Sequence, residues 1–212
     1  MKIAKTLSKV MLPAVFAISS MAASASSLTF DFTGKDYYPS RDLTFDVHGV
    51  ELTVTSGTFS FYDSDINFNT RFVDLDNDGL GSLGFFDGDQ VDGRFGNDVL
   101  VFSFSEFVSI DNILFGNVDN NDDFAFGEVN GSFFDRVFDF NDVFASVGVN
   151  SGPGLTFGIG AIGSNDNFSI RGLEISKVAV PELDAAGAPI ALSLIAGFLA
   201  MAAERRRRRR IL

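Results

Sequence analysis

The segment Asp74-Leu75-Asp76-Asn77-Asp78-Gly79 sets a carboxylate at every second position and ends on glycine. Alternating acids around a tight turn can converge on one hard cation, with oxygen ligands at about 2.4 Å, in the order of positions one, three, five and six of an EF-hand loop. Position twelve falls on Phe85, where a bidentate glutamate is needed, and Asp87 stands nearby but out of register. Asp74, Asp76 and Asp78 therefore carry two readings: calcium ligands, or an acidic solvated turn between strands. The segment GRFGNDVLV resembles one calcium-binding β-roll repeat through Gly93, Gly96, Asp98 and Leu100, with Arg94 in a glycine's place. A β-roll shares each ion between stacked copies, and this chain has one copy. A plain turn before a buried strand is the simpler expectation. A third acidic cluster, DNNDDF, spans residues 119–124.

Other chemistries find less support. His48 is the single histidine and precedes Gly49 between two alternating segments, which makes it a turn residue. A Ser/His/acid triad would have to use it, and no nucleophile elbow accompanies it. A glycosidase needs two carboxylates, but no motif selects a pair. Walker, dinucleotide-binding and zinc signatures are absent. The chain has no cysteine, which excludes thiol catalysis, thiolate metal sites and disulfides. Phenylalanine occurs 25 times and tryptophan not at all, so the aromatic content reads as core rather than as a glycan-stacking stripe. Tyr37 and Tyr38, in an early loop, are the one aromatic pair expected at the surface. The sequence thus predicts no catalytic residue and no cofactor, with calcium left open.

Residues 26–180 hold 25 acidic and 7 basic side chains, a net charge of −18, whereas the whole chain carries −12. The difference arises because nine of the sixteen basic residues lie in the two ends. Such a body repels nucleic acid and anionic membrane, and attracts divalent cations.

These residues must be positioned by strands. Period-two alternation marks residues 43–47, 52–54, 59–61, 155–162 and 168–175, while VLVFSF at 99–104 reads as a more deeply buried strand, with a further one at 113–115. His48-Gly49 and Asn130-Gly131 predict two-residue hairpins. Residues 74–98, rich in Asp and Gly, predict long loops on one edge, and residues 133–147 are ambiguous, with room for a short helical turn. The pattern predicts an all-β fold, an antiparallel β-sandwich of jelly-roll type, in one domain spanning residues 26–178.

Both ends read as address labels. Lys2, Lys5 and Lys9 precede an apolar run at 10–18, and Ala23-Ser24-Ala25 supplies the small-x-small pattern for signal peptidase. Residues 1–25 are thus expected to be a signal peptide cleaved after Ala25. At the other end, residues 185–203 are almost wholly apolar, enough for about 28 Å of helix at ~1.5 Å per residue, against a hydrocarbon core of about 30 Å. Arg205, Arg206, Arg207, Arg208, Arg209 and Arg210 follow and would hold that end in the cytoplasm.

The run Val180-Pro181-Glu182-Leu183-Asp184, the apolar span and the arginine cluster together resemble a PEP-CTERM sorting domain at 179–212. The nearest variant is VPEID-CTERM, with Leu183 where that variant usually has Ile. The resemblance implies an integral-membrane processing enzyme, an exosortase, that reads the motif and removes the span and tail. Residues 79–124 and 157–176 also resemble an extracellular domain common in exported proteins of this class. These likenesses imply an exported, non-enzymatic cell-surface or extracellular-matrix protein that meets signal peptidase and exosortase on the way. The rival expectations are a calcium-dependent polysaccharide-binding module, a small glycan-active enzyme, and an ordinary single-pass anchored protein.

Overall fold

The computed structural model describes residues 26–60, 64–84, 88–94, 96–119, 121–140 and 145–178. The expected signal peptide, sorting motif, apolar span and arginine cluster lie outside the described residues. Within them the chain is all β. The strands are β1 (Ser27–Asp31), β2 (Tyr37–Ser40), β3 (Asp42–Val47), β4 (Val50–Phe59), β5 (Ile66–Asn67), β6 (Phe72–Asp76) and β7 (Gly79–Leu83). They continue with β8 (Val91–Asp92), β9 (Asn97–Gly116), β10 (Phe124–Asn130), β11 (Phe133–Phe140), β12 (Ser146–Gly148), β13 (Gly154–Ala161) and β14 (Asn167–Lys177). Every ladder between these strands is antiparallel. One continuous sheet runs in the order β11-β10-β13-β9-β14-β7-β6-β2, with β4 and β12 also on β9, and β1 and β8 also on β14.

Strand β9 organises the molecule. Its first half, residues 97–104, lies between β4 and β13, and its second half, residues 108–116, pairs with β14. Between the halves, the β13 register shifts from Gly154↔Val108 to Thr156↔Ser103. The sequence expects two strands here because exposed Ser105 and part-exposed Glu106 interrupt the alternation. That interruption is a bend within one strand.

The sheet is buried on both faces in its middle. Leu100, Phe102 and Phe104 of β9 face the main core, whereas Val99 and Val101 face a second core with Phe59, Ile66, Ala125, Val129 and Phe134. Burial of both faces produces a near-continuous apolar run, which is why VLVFSF reads as it does. Gly158 keeps the second face thin: a Cβ there would stand 2.8 Å from the Phe134 ring. Backbone bonds from Ile66 to Ser132 (2.7 Å) and from Phe134 to Ser64 (2.8 Å) close β11 over this core. In the main core, Phe115 meets Phe124 and Phe168 at centroid distances of 4.8 and 5.2 Å. Each such pair adds about 0.5–1.5 kcal/mol beyond area burial.

Three local expectations are refined. Residues 74–98 hold β7 and β8 rather than long loops alone, because Asn77-Asp78 makes a two-residue turn that pairs Asp76 with Gly79. The β10–β11 turn is Gly131-Ser132 rather than Asn130-Gly131, since Asn130 still pairs with Phe133 and Gly131 takes the positive φ of 66°. Residues 133–140 are strand. The β3–β4 turn is His48-Gly49 as expected, with φ of 52° and 81°, the signature of a type I′ hairpin.

Candidate functional site

Strand β14 spans about 33 Å at ~3.3 Å per residue, and its two ends carry different chemistry. Around its beginning gather the acidic loops. Asn167 pairs with Asp92 of β8 and donates its N–H to Asp122 Oδ1 at 2.9 Å. The other oxygen of Asp122 accepts the Asp119 N–H at 2.6 Å. Asn121 and Asn165 exchange side-chain amide bonds to each other's carbonyl at 3.3 and 3.2 Å. Asp166 accepts the N–H of Gly163. Burial pushes the carboxyls of Asp122 and Asp166 up, while these backbone donors pull them down. The DNNDDF cluster therefore ties two loops together through its carboxylates.

Two residues along β14, Ser169 Oγ donates to the Asp78 carbonyl at 3.0 Å, which brings in the β6–β7 hairpin. Ligand atoms of Asp74, Asp76 and Asp89 all lie within 4.8 Å of one another. Asp74 and Asp76 share a strand face by the two-residue period of β6. Asp89 arrives through a close backbone approach: a Cβ on Gly81 would stand 1.6 Å from the Asp89 carbonyl oxygen. Burial raises the Asp74 carboxyl above its ordinary value, and Asp89, Asp76 and Asp36 add to that by repulsion. Asp78 does not join the group. It sits in the turn, where its N–H and that of Gly79 donate to Asp76 Oδ1 at 2.7 and 3.2 Å, and its own Oδ2 accepts from Asn117 at 3.3 Å. The sequence thus points to Asp74 and Asp76 but misses Asp89, for which Gly81 is the one local signal. Strand β2, where an early loop was expected, pairs with β6 through Tyr37↔Leu75, so Tyr37 lies on the Leu75 side of the pair, opposite the face of Asp74 and Asp76, and Tyr38, the next residue, is 96% exposed.

Asp98 of the β-roll-like segment turns to protein. Its Oδ1 accepts from Arg71 Nε at 2.6 Å, with both groups buried. Burial pushes this carboxyl up to about 7, against the pull of the Arg71 charge and hydrogen bond. Ser82 also favours the charged form without reaching hydrogen-bonding geometry: Asp98 Oδ2 is buried with no hydrogen bond, and Ser82 Oγ is paired with Ser56 Oγ at 2.8 Å.

The far end of β14 carries the chain's entry and exit. Ser27 pairs with Ser176, and the Lys177 N–H reaches the Ser26 carbonyl at 3.2 Å. The Val178 N–H donates to the Phe107 carbonyl at 3.1 Å, and Lys177 Nζ meets Glu106 at 2.7 Å. A shallow pocket between the two ends is lined by Thr29, Asp31, Thr33, Leu114, Phe115, Ala145 and Arg171. There the hydrogen bonds of Thr33, with Lys35 and Arg171 beyond, hold the Asp31 carboxyl below its ordinary value.

Residues 180–210 match the VPEID-CTERM protein sorting domain. No curated protein and no solved structure matches the chain. The sorting domain is of the PEP-CTERM-like kind and implies an exported protein that is processed by an exosortase and targeted to the cell surface through the membrane.

Proposed function

We propose that this protein is a non-enzymatic cell-surface or extracellular-matrix component, freed from the inner membrane when an exosortase cuts at the motif Val180, Pro181, Glu182, Leu183, Asp184. One observation carries this reading: the sorting domain begins at residue 180, two positions after Val178, whose backbone is still bonded into the sheet. The body is presented to the outside and the label follows at once. Pro181 biases Val180 to extended geometry, which suits a peptide held in an enzyme groove. Mass spectrometry of mature protein from the native host tests the reading. Peptides running through residues 185–203 should be missing from wild type and present when Pro181 and Glu182 are both changed to Ala. Their recovery from most wild-type molecules would favour an ordinary single-pass anchor.

A second reading for the body is calcium-dependent polysaccharide binding at the β2–β6 corner. It is favoured by the convergence of Asp74, Asp76 and Asp89 on strand β6 and its neighbouring loop, with the 96% exposed Tyr38 on the adjoining strand β2. A hard cation takes oxygen ligands, and a sugar ring stacks on an exposed aromatic face. Calorimetry of the body with calcium, with and without glycans, tests it: no heat in either titration would leave the surface-protein reading alone.

A further inference from the structure

We propose that the edge where the chain enters and leaves the body is a lipid-facing surface in the unprocessed protein, with Phe107 and Leu155 seated against the bilayer. The inference rests on the reading of residues 185–203 as a membrane span. Ser26 and Lys177 lie side by side in the β1–β14 ladder. Both address labels therefore leave from one point. The backbone is held as far as Val178, and six residues separate it from the span. Fully extended, seven Cα steps reach at most about 24 Å. The headgroup zone alone takes about 5–8 Å of that on each side of a bilayer. Lengthening the tether would break the Val178–Phe107 hydrogen bond and the Lys177–Glu106 ion pair. On the N-terminal side, seven residues separate the apolar run ending at 18 from Ser26 until the signal is cut. What remains of the tether, about 16–19 Å at full extension, bounds how far this edge can stand from the headgroups.

The side chains at the edge fit that position. Phe107, whose carbonyl holds Val178, is 45% exposed, and Leu155 is 41% exposed. Leu155 follows Gly154, which pairs with Val108, so the two apolar side chains flank one bend. Glu106, which alone would repel an anionic surface, is paired with Lys177. The acidic loops around Asp92, Asp122 and Asp166 gather at the opposite end of β14, about 33 Å away. A surface charge of that sign is repelled by anionic lipid, so seating on this edge turns it outward.

The chain has no cysteine, so single reporters are clean. The full chain is expressed in a host without an exosortase and reconstituted into vesicles of phosphatidylcholine with one quarter (a chosen mixture, about 25%) phosphatidylglycerol, an anionic surface of the kind met in bacteria-like bilayers. Phe107→Cys, Leu155→Cys and Tyr38→Cys variants each carry an environment-sensitive dye, and a cooperative melt confirms that each has folded. Lipids bearing a headgroup nitroxide should quench emission at 107 and 155 and leave 38 at background. Equal quenching at all three sites, or none at 107 and 155 in protein that floats with the vesicles, overturns this proposal alone. Protein that fails to float overturns the membrane-span reading with it. Protection of 107 and 155 from labelling only when an exosortase is present would assign the edge to the enzyme rather than to lipid, and would also overturn it.

Discussion

The two ends of β14 are built from the same ladder but hold their surroundings differently. At the exit end, backbone meets backbone: Ser27↔Ser176, Lys177 to Ser26 and Val178 to Phe107. At the acidic end, carboxylates do the holding. Asp76, Asp92, Asp119, Asp122 and Asp166 each accept nearby backbone N–H groups. This is the ordinary use of Asp in Asx-type turns. An acid-rich sequence is therefore not in itself a metal-rich one. Here much of the charge is engaged in shaping loops, and the triad of Asp74, Asp76 and Asp89 stands out because three strand-and-loop carboxylates converge.

The comparison breaks most sharply when each end loses one aromatic. Phe30 of β1 is 1% exposed and packs against Phe104 at 5.9 Å, so Phe30→Ala should destabilise the mature body by about 3–5 kcal/mol. Tyr38→Ala, on a nearly free side chain, should stay within about 0.5 kcal/mol. Thermal melts of residues 26–178 compare the two directly. A similar shift for both would show that the aromatic corner at β2 is structural, not a surface free for a ligand.

Titration separates the ends next. The upward-shifted carboxyls, Asp74, Asp98, Asp122 and Asp166, belong to the acidic end and its neighbours. A folded value above the unfolded one means that the folded state holds the proton more tightly. The resulting stability is fully present below about pH 3.8 and is lost as pH rises through the folded value, about 7 for Asp98. Asp31 on β1 is shifted down, so its contribution is present above the unfolded value and fades as pH falls. Denaturant melts between pH 4 and pH 7 should show stability declining with pH, by at most about 1.4 kcal/mol per unit for one proton. Asp98→Asn should flatten that decline, and an unchanged slope would remove Asp98 as its source.

A smaller effect isolates the loop tie. Asp122→Ala leaves the N–H groups of Asn167 and Asp119 without their acceptor; both residues are exposed, so water can replace it and the cost is about 0.5–1.5 kcal/mol for each bond. Amide hydrogen exchange should quicken at Asn167 while protection at Ser176 holds. Equal loss at both residues would mean that the two ends of β14 open as one unit.

Much of the fold was legible because alternation records which way a side chain faces: residues 43–47 and 168–175 fall on strands β3 and β14, and all but the last residue of 155–162 falls on β13. Partnership was not. Nothing local says that Ser26 lies beside Lys177, because that pairing joins the two extremes of the body. The bend at Ser105-Glu106 imitates a turn, since a strand that leaves one partner exposes polar residues just as a loop does. The candidate site was half visible. Asp74 and Asp76 share a face once β6 is a strand, but Asp78 leaves it at the turn, and Asp89 is supplied by a backbone crossing over Gly81 that sequence spacing does not encode.

The most delicate test asks whether that half-visible site takes an ion. If calcium binds the folded body alone, it raises stability by mass action, about 0.4 kcal/mol when free calcium equals Kd and about 2.7 kcal/mol at one hundred times Kd. Asp89→Asn should remove most of the increase, because it withdraws one of three converging carboxylates and the repulsion that helps raise Asp74. Asp78→Asn should leave it intact, because Asp78 lies outside the cluster and its contact with Asn117 is a neutral donor that an amide oxygen can also accept. A linear EF-hand-type loop predicts the reverse ranking, with loss on changing Asp78 and indifference to Asp89. Melts in calcium and in chelator for these two variants therefore decide between sequence order and strand geometry. Identical melts for wild type in both media would leave the acidic end with a purely structural role, in parallel with the exit end.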